Sequence, residues 1–238
     1  MRKLIYLSTL LLLFVLPVAA QQPLFPTPAK VQNGKGSFTI GKNLQIQGNG
    51  GYADKLAAAL PVELKDAGMQ SSPASGTIRL ELLPDQKMAD EAYTLVVEPG
   101  SILLQASSES GLFYAKEALL QLSRFGKGSV RACKIQDQPR YGWRGFMLDE
   151  SRHFFGKEKV MQYLDIMASL RLNVFHWHLT DEPGWRIEIK RYPKLTTIGA
   201  VGNWHDPKAA PSFYTQEEIK EVVAYAAERH IMVVPEID

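Results

Sequence analysis

The spacing of apolar residues changes character near residue 139, and the change divides the chain. Upstream, Ile78, Leu80 and Leu82 alternate with Arg79 and Glu81, which predicts a half-buried strand over 77–83. Short apolar patterns over 37–40 and 44–47 flank the turn signal Gly41-Lys42-Asn43, and those over 93–97 and 102–106 flank Glu98-Pro99-Gly100-Ser101. They predict two more pairs of strands, the second a hairpin. Leu56, Ala59 and Leu60 share one face of a predicted helix over 52–64, with Pro61 inside it as a candidate break. Leu112, Ala115, Leu119 and Leu122 form the stripe of a second helix over 111–124, and 130–135 supplies a last strand. Residues 21–139 therefore read as a small α+β domain, two helices on one sheet. The neighbouring acids Asp85, Asp90 and Glu91 fit a solvated loop there.

From 140 onward strand and helix alternate. The apolar run 145–148 ends in Asp149 and Glu150, and Val160, Leu164, Met167 and Leu170 then recur at helical spacing. The run 172–179 ends in a second acidic pair, Asp181 and Glu182. An irregular section over 186–211 follows. Thr215 with Glu218 makes a capping box ahead of Ile219, Val222, Val223, Ala226 and Ala227. A third strand over 231–234 leads into Pro235-Glu236-Ile237-Asp238. The fold class is α/β: a small α+β N-terminal domain followed by the first part of a (β/α)8 TIM barrel. Closing such a barrel takes about 250 residues, so three strands and two helices over 140–238 make an incomplete one. In this architecture chemistry gathers at the carboxyl ends of the strands, where both acidic pairs fall.

Composition adds compartment and excludes some partners. Arg2 and Lys3, the apolar run 4–15 and the small residues Val18, Ala19 and Ala20 predict a cleaved signal peptide over 1–20, hence export to a periplasmic or extracellular space. Removing Arg2 and Lys3 from the 27 basic residues leaves 25, against 25 acidic ones. A near-neutral chain without a Lys/Arg cluster argues against nucleic acid, and against membrane as a partner after signal cleavage. Cys133 is the only cysteine, so no internal disulfide staples the exported chain.

Several separate motifs, in order, resemble glycoside hydrolase family 20, the β-N-acetylhexosaminidases. They are Trp143-Arg144-Gly145, Asp149 with Ser151-Arg152-His153-Phe154, and the run from Asn173 through Phe175-His176-Trp177-His178-Leu179-Thr180 to Asp181. Gly184-Trp185-Arg186 and Pro235-Glu236-Ile237-Asp238 match as well. Upstream, Glu91-Ala92-Tyr93, Gly111-Leu112-Phe113-Tyr114 and Asp137-Gln138-Pro139-Arg140 match the family's non-catalytic α+β domain. The resemblance implies a retaining, substrate-assisted reaction on terminal N-acetylglucosamine or N-acetylgalactosamine, in which the substrate's own acetamido oxygen attacks the anomeric carbon. It implies a catalytic Asp-Glu pair after a fourth strand, beyond Asp238, so that no catalytic acid lies in these residues. It further implies sugar-hydroxyl binding by Arg144, whose fork of donors suits adjacent oxygens. Asp181 would support the acid from a distance. Glu182 and Pro183 depart from the usual Asp and Gln at those positions.

Read from the residues alone, Arg144 has a second role open to it, pairing with an acid at the base of the barrel, because it sits early in its strand. Asp149 is a substrate-binding candidate or a buried hydrogen-bonding Asp. Trp177, Trp185 and Trp204 are candidates for stacking on sugar faces, with Trp185 foremost because it follows the acidic pair. His176 and His178 share a strand face with Val174, a pattern that also suits a metal; the expectation is no metal and no cofactor. Glu236 and Asp238 share a face of the third strand, pointing to the site or into an ion pair. The alternative to the enzyme is a carbohydrate-binding protein without catalysis.

Overall fold

The computed structural model describes residues 24–238; the predicted signal peptide over 1–20 lies outside the described residues. The first layer is a six-stranded sheet built from β1 (Lys30–Thr39), β2 (Asn43–Gly48), β3 (Ser75–Leu82), β4 (Tyr93–Glu98), β5 (Ser101–Ala106) and β6 (Ser129–Asp137), in the order β1-β6-β4-β5-β3-β2. β4 and β5 form the expected hairpin, with Glu98 opposite Ser101. β1 is longer than its apolar pattern predicts. Its first residues are polar and exposed, and main-chain pairing with β6 rather than burial holds them, across an irregularity between Asn33 and Ser37.

Two helices cover this sheet, α1 (Gly51–Asp66) and α2 (Glu109–Gly126). Pro61 does not break α1, contrary to expectation. It lies on the solvent side, while Leu60 and Leu64 on the other side are buried and carry the helix through the missing hydrogen bond. α2 opens on Ser108, whose hydroxyl accepts from the Gly111 N–H at 3.1 Å. Its buried surface exceeds the predicted stripe: every residue from Gly111 to Ser123 is buried, Lys116, Glu117 and Gln121 included. The cause is a second layer packed on its outer side.

That layer begins with β7 (Gly145–Asp149), α3 (Lys157–Ser169) and β8 (Val174–Asp181). A two-residue strand β9 (Gly184–Trp185) folds back on β8. A short helix α4 (Lys194–Thr197), then α5 (Gln216–Ala227) and β10 (Met232–Ile237) complete it. The three main strands are parallel in the order β10-β8-β7, part of a (β/α) barrel. α5 starts with the predicted capping box: the Glu218 N–H donates to Thr215 Oγ1 at 3.1 Å, and the Thr215 N–H donates to Glu218 Oε2 at 3.0 Å. α2, α3 and both sheets contribute to one continuous apolar core. Among the described residues no helix is long and apolar enough to cross a membrane.

Register sets the barrel's inner face. Met147, His176 and Val234 pair across the three strands in one row, and Asp149, His178 and Glu236 form the next row toward the carboxyl ends. Phe175, Trp177 and Leu179 alternate to the other side and are buried against the helices.

Candidate carbohydrate site at the carboxyl ends of the strands

The row of Asp149, His178 and Glu236 is joined by two groups from the loops, Arg152 and Asp181. Asp149 turns the chain after β7: its Oδ1 accepts the Arg152 N–H at 3.0 Å and its Oδ2 faces Arg152 Nη1 at 3.1 Å. The same guanidinium reaches Asp181 Oδ2 and places Nη1 3.0 Å from His178 Nε2. His178 Nδ1 lies 2.6 Å from Glu236 Oε2. His176 shares that carboxylate oxygen, also at 2.6 Å.

The electrostatics follow from these contacts. Asp181 is held below the usual carboxylate range, first by the Glu182 N–H donated to its Oδ1 at 2.6 Å and then by Arg152 and His178. Glu236 is lowered by the hydrogen bonds from His178 and His176. Burial alone would lower His178, but its bond to the Glu236 carboxylate outweighs that, and its pKa lies above the ordinary histidine value. The geometry fits an Nδ1–H on Glu236, leaving Nε2 to accept from Arg152. Arg152 is thus a partly exposed, forked donor, oriented from three sides and flanked by the carboxylates of Asp149 and Asp181. Such an arrangement has the chemistry to take vicinal hydroxyls, with the guanidinium donating and the Asp149 and Asp181 carboxylates accepting.

Beneath it runs a buried support. Glu150 has no exposed surface. It accepts from the Tyr214 hydroxyl at 2.6 Å and the Phe155 N–H at 2.7 Å. Burial pushes its carboxyl up to about 7. Arg186, equally buried, donates to the carbonyls of Glu150, Ser151, Ala200, Gly202 and Ser212 at 2.8–3.2 Å. Gly184 is required beside it, since a Cβ there would meet Arg186 Cζ at 2.3 Å. These two buried polar side chains fix the loops that carry Arg152 and residues 199–212.

Arg144 is not brought to this place. It precedes β7 at the amino end, about 16 Å along the strand from the carboxyl-end row. Its Nη1 and Nη2 bind both Glu91 oxygens at 2.9 Å, and its Nε donates to the Arg171 carbonyl at 2.7 Å. The sugar-binding role expected of Arg144 is corrected: it ties the barrel layer to the first sheet, where Arg171 makes a parallel contact with Asp137 at 2.9 Å. Glu91 is accordingly no solvated loop residue, unlike exposed Asp85 and Asp90.

The other candidates divide. Asp149 and Asp181 meet on Arg152, whereas Glu182 is exposed in the turn between β8 and β9 and engages Asp181 through its N–H. Trp185 is half-buried, with its indole N–H donated to the Ile187 carbonyl at 2.6 Å. Trp177 is core, and Trp204 is 67% exposed. Asp238 meets Thr180 through its backbone, its N–H donating to Oγ1 at 2.9 Å. Ligand-type atoms of His178, Asp181 and Asp238 lie within 4.8 Å of one another, but Arg152 already sets a full positive charge on Asp181. Arg152 lies in the Ser151-Arg152-His153-Phe154 motif, and its place after the first acidic pair, at a strand's carboxyl end, is the signal in the sequence that points to it.

The described residues thus form part of a parallel (β/α) barrel with a charged cluster at the carboxyl ends of its strands. The models of glycosyl hydrolase family 20 match almost all of the described chain, its domain 2 over residues 21–138 and its catalytic domain over 141–238, and the chain belongs to that family. It is 40% identical over 231 residues to a β-hexosaminidase of Vibrio furnissii, covering 92% of this chain and 38% of that one. A β-hexosaminidase of Porphyromonas gingivalis is 37% identical, covering 78% and 25%. The crystal structure of a family 20 exo-β-N-acetylglucosaminidase from Vibrio harveyi in complex with N-acetylglucosamine superposes with a TM-score of 0.79 at 36% identity, covering 91% of this chain and 36% of that one. A Bacteroides fragilis β-N-acetylhexosaminidase gives 0.76 at 33% identity, covering 92% and 45%. The chain thus spans under half the length of these relatives.

Proposed function

We propose that the whole protein is an exported β-N-acetylhexosaminidase that removes terminal N-acetylglucosamine or N-acetylgalactosamine with retention, through attack by the substrate's 2-acetamido oxygen. The present residues supply the side of the site that grips the sugar's hydroxyls. The observation that carries this reading is Arg152, held between Asp149 and Asp181 with His178 behind it.

The reaction also needs a protonated carboxyl at the glycosidic oxygen, and the described residues offer none. Asp181 and Glu236 are held ionised by their partners. Glu150 keeps its proton near neutrality, yet it is sealed under the loops and bonded to Tyr214 and Phe155. The 238-residue chain alone is therefore inactive in this reading. The test is turnover of a chromogenic N-acetyl-β-glucosaminide by the product of the complete coding region, with the anomeric configuration of the first-formed sugar followed by NMR. Turnover with retention supports the proposal. Inversion, or equal turnover by the 238-residue chain, overturns it.

A further inference from the structure

Two helix-to-strand turns of the barrel layer plant a side chain on the first domain, and both do so from the same backbone conformation. After α3, Arg171 has φ +59°, and its guanidinium meets Asp137 and the Tyr93 hydroxyl at 2.9 Å. After α5, His230 has φ +56°. The His230 N–H donates to the Ala227 carbonyl and the Ile231 N–H to the Ala226 carbonyl, both at 3.0 Å. These bonds close the helix in a turn whose left-handed residue is usually glycine. A ring-bearing residue there carries backbone strain that its side-chain contacts must offset. The His230 ring stands edge to face with Tyr52 of α1 and Phe113 of α2, with centroids 5.6 and 5.4 Å away. Its Nε2 lies 2.8 Å from the Tyr52 hydroxyl, so the neutral ring, with its proton on Nδ1, accepts from the tyrosine.

The surroundings oppose a charge on this ring. Burial holds His230 below the ordinary histidine value and outweighs the pull of Glu109 and Glu91, while Lys55 and Lys116 act in the same direction as burial. The Lys116 ammonium already sits 4.5 Å over the Phe113 ring, paired with Glu63 and Glu117. The neighbours in the chain are engaged elsewhere: Glu228 faces Lys55 at 3.7 Å, and Arg229 binds Asp165 at 2.8 Å. Tyr52, Phe113, Glu228 and Arg229 also line an open cavity of about 630 Å³ between the helices, which gives water and protons a way in.

We propose that His230 is an acid-sensitive latch between the two layers of the molecule. Neutral, it docks the α5–β10 turn on α1 and α2. Protonated, it releases that end of the interface, while Arg171, whose charge is permanent, holds the other. The Tyr52 hydroxyl can turn to accept from the protonated ring, but the added charge stays desolvated against two aromatic rings, and opening toward the cavity rehydrates it. By linkage, the latch is complete above the ordinary histidine value of 6.5 and weakens progressively as pH falls below it.

The experiment follows hydrogen–deuterium exchange by mass spectrometry in the protein made from the complete coding region, from pH 7.5 to pH 5. Each peptide's rate is divided by that of the unfolded chain at the same pH. Corrected exchange over 52–60 and 226–232 rises by up to about tenfold per pH unit below the ordinary histidine value, while that over 168–173, around Arg171, does not change. His230→Gln keeps a polar group near the place of Nε2, cannot titrate in this range, and abolishes the response. Tyr52→Phe removes the hydroxyl that favours the neutral ring and moves the onset to higher pH. A flat profile in the unaltered protein, a response that survives His230→Gln, an onset unmoved in Tyr52→Phe, or a response that spreads equally to 168–173 overturns the latch.

Discussion

Replacing Glu150 by Gln isolates the buried support under the candidate site. The amide keeps both contacts, its oxygen accepting from the Phe155 N–H and its NH2 donating to the Tyr214 oxygen, but it cannot ionise. In the folded chain the Glu150 carboxyl titrates at about 7, against the ordinary 4.5. Between those values the folded state keeps a proton that the unfolded state has lost, so this group's contribution to stability falls as pH rises through the window and is level above it. The shift corresponds to about 3 kcal/mol. Urea unfolding followed by circular dichroism at pH 4.5 to 8 is the assay. The variant and the parent should be similar at pH 4.5, and the variant should gain about 3 kcal/mol relative to the parent by pH 8. Parallel stability curves would refute the reasoning, since they would mean that Glu150 ionises freely in the folded chain.

Three further outcomes follow from the same geometry. Arg144→Ala leaves Glu91 half-buried without its bidentate partner, and should lower stability by about 2–4 kcal/mol in urea unfolding. Gly184→Ala drives a methyl into the Arg186 guanidinium and should destabilise by about 2 kcal/mol or more, read as a lower melting temperature. Glu236→Gln removes the main cause that holds His178 above the ordinary histidine value; in an NMR titration the His178 pKa should fall, and an unchanged value would show that Glu236 is not its controlling partner.

The core of the fold was legible because it is written in short-range periodicity. The alternation over 77–83, the hairpin turn at Glu98-Pro99-Gly100-Ser101 and the capping box at Thr215 each name an element without reference to the rest of the chain. What the pattern could not carry was contact between layers. The burial of Lys116 and Gln121 on α2 arises because α3 lies across it: the Gln121 amide donates to the Ser169 carbonyl at 2.6 Å. The pairing of Glu91 with Arg144 joins residues 53 positions apart, so Glu91 looked like one more acid of a loop.

At the site, the acidic pairs at the strand ends were visible, and so was the shared face of His176 and His178. Which arginine they serve was not. Arg144 and Arg152 flank the same strand, and the family resemblance points to the first. Strand polarity decides for the second, because only Arg152 lies at the carboxyl end. The structural roles of Glu150 and Arg186 are illegible in the sequence for a related reason: charged residues read as exposed, and only the packed loops reveal that both are buried.

The most direct measurement compares Arg152→Ala with Arg144→Ala in binding of N-acetylglucosamine to the 238-residue chain, by NMR titration. The account predicts that Arg152→Ala weakens binding about tenfold or more while the chain stays folded, and that Arg144→Ala costs stability and leaves affinity in place. Loss of binding in the Arg144 variant, with binding intact in the Arg152 variant, would contradict it.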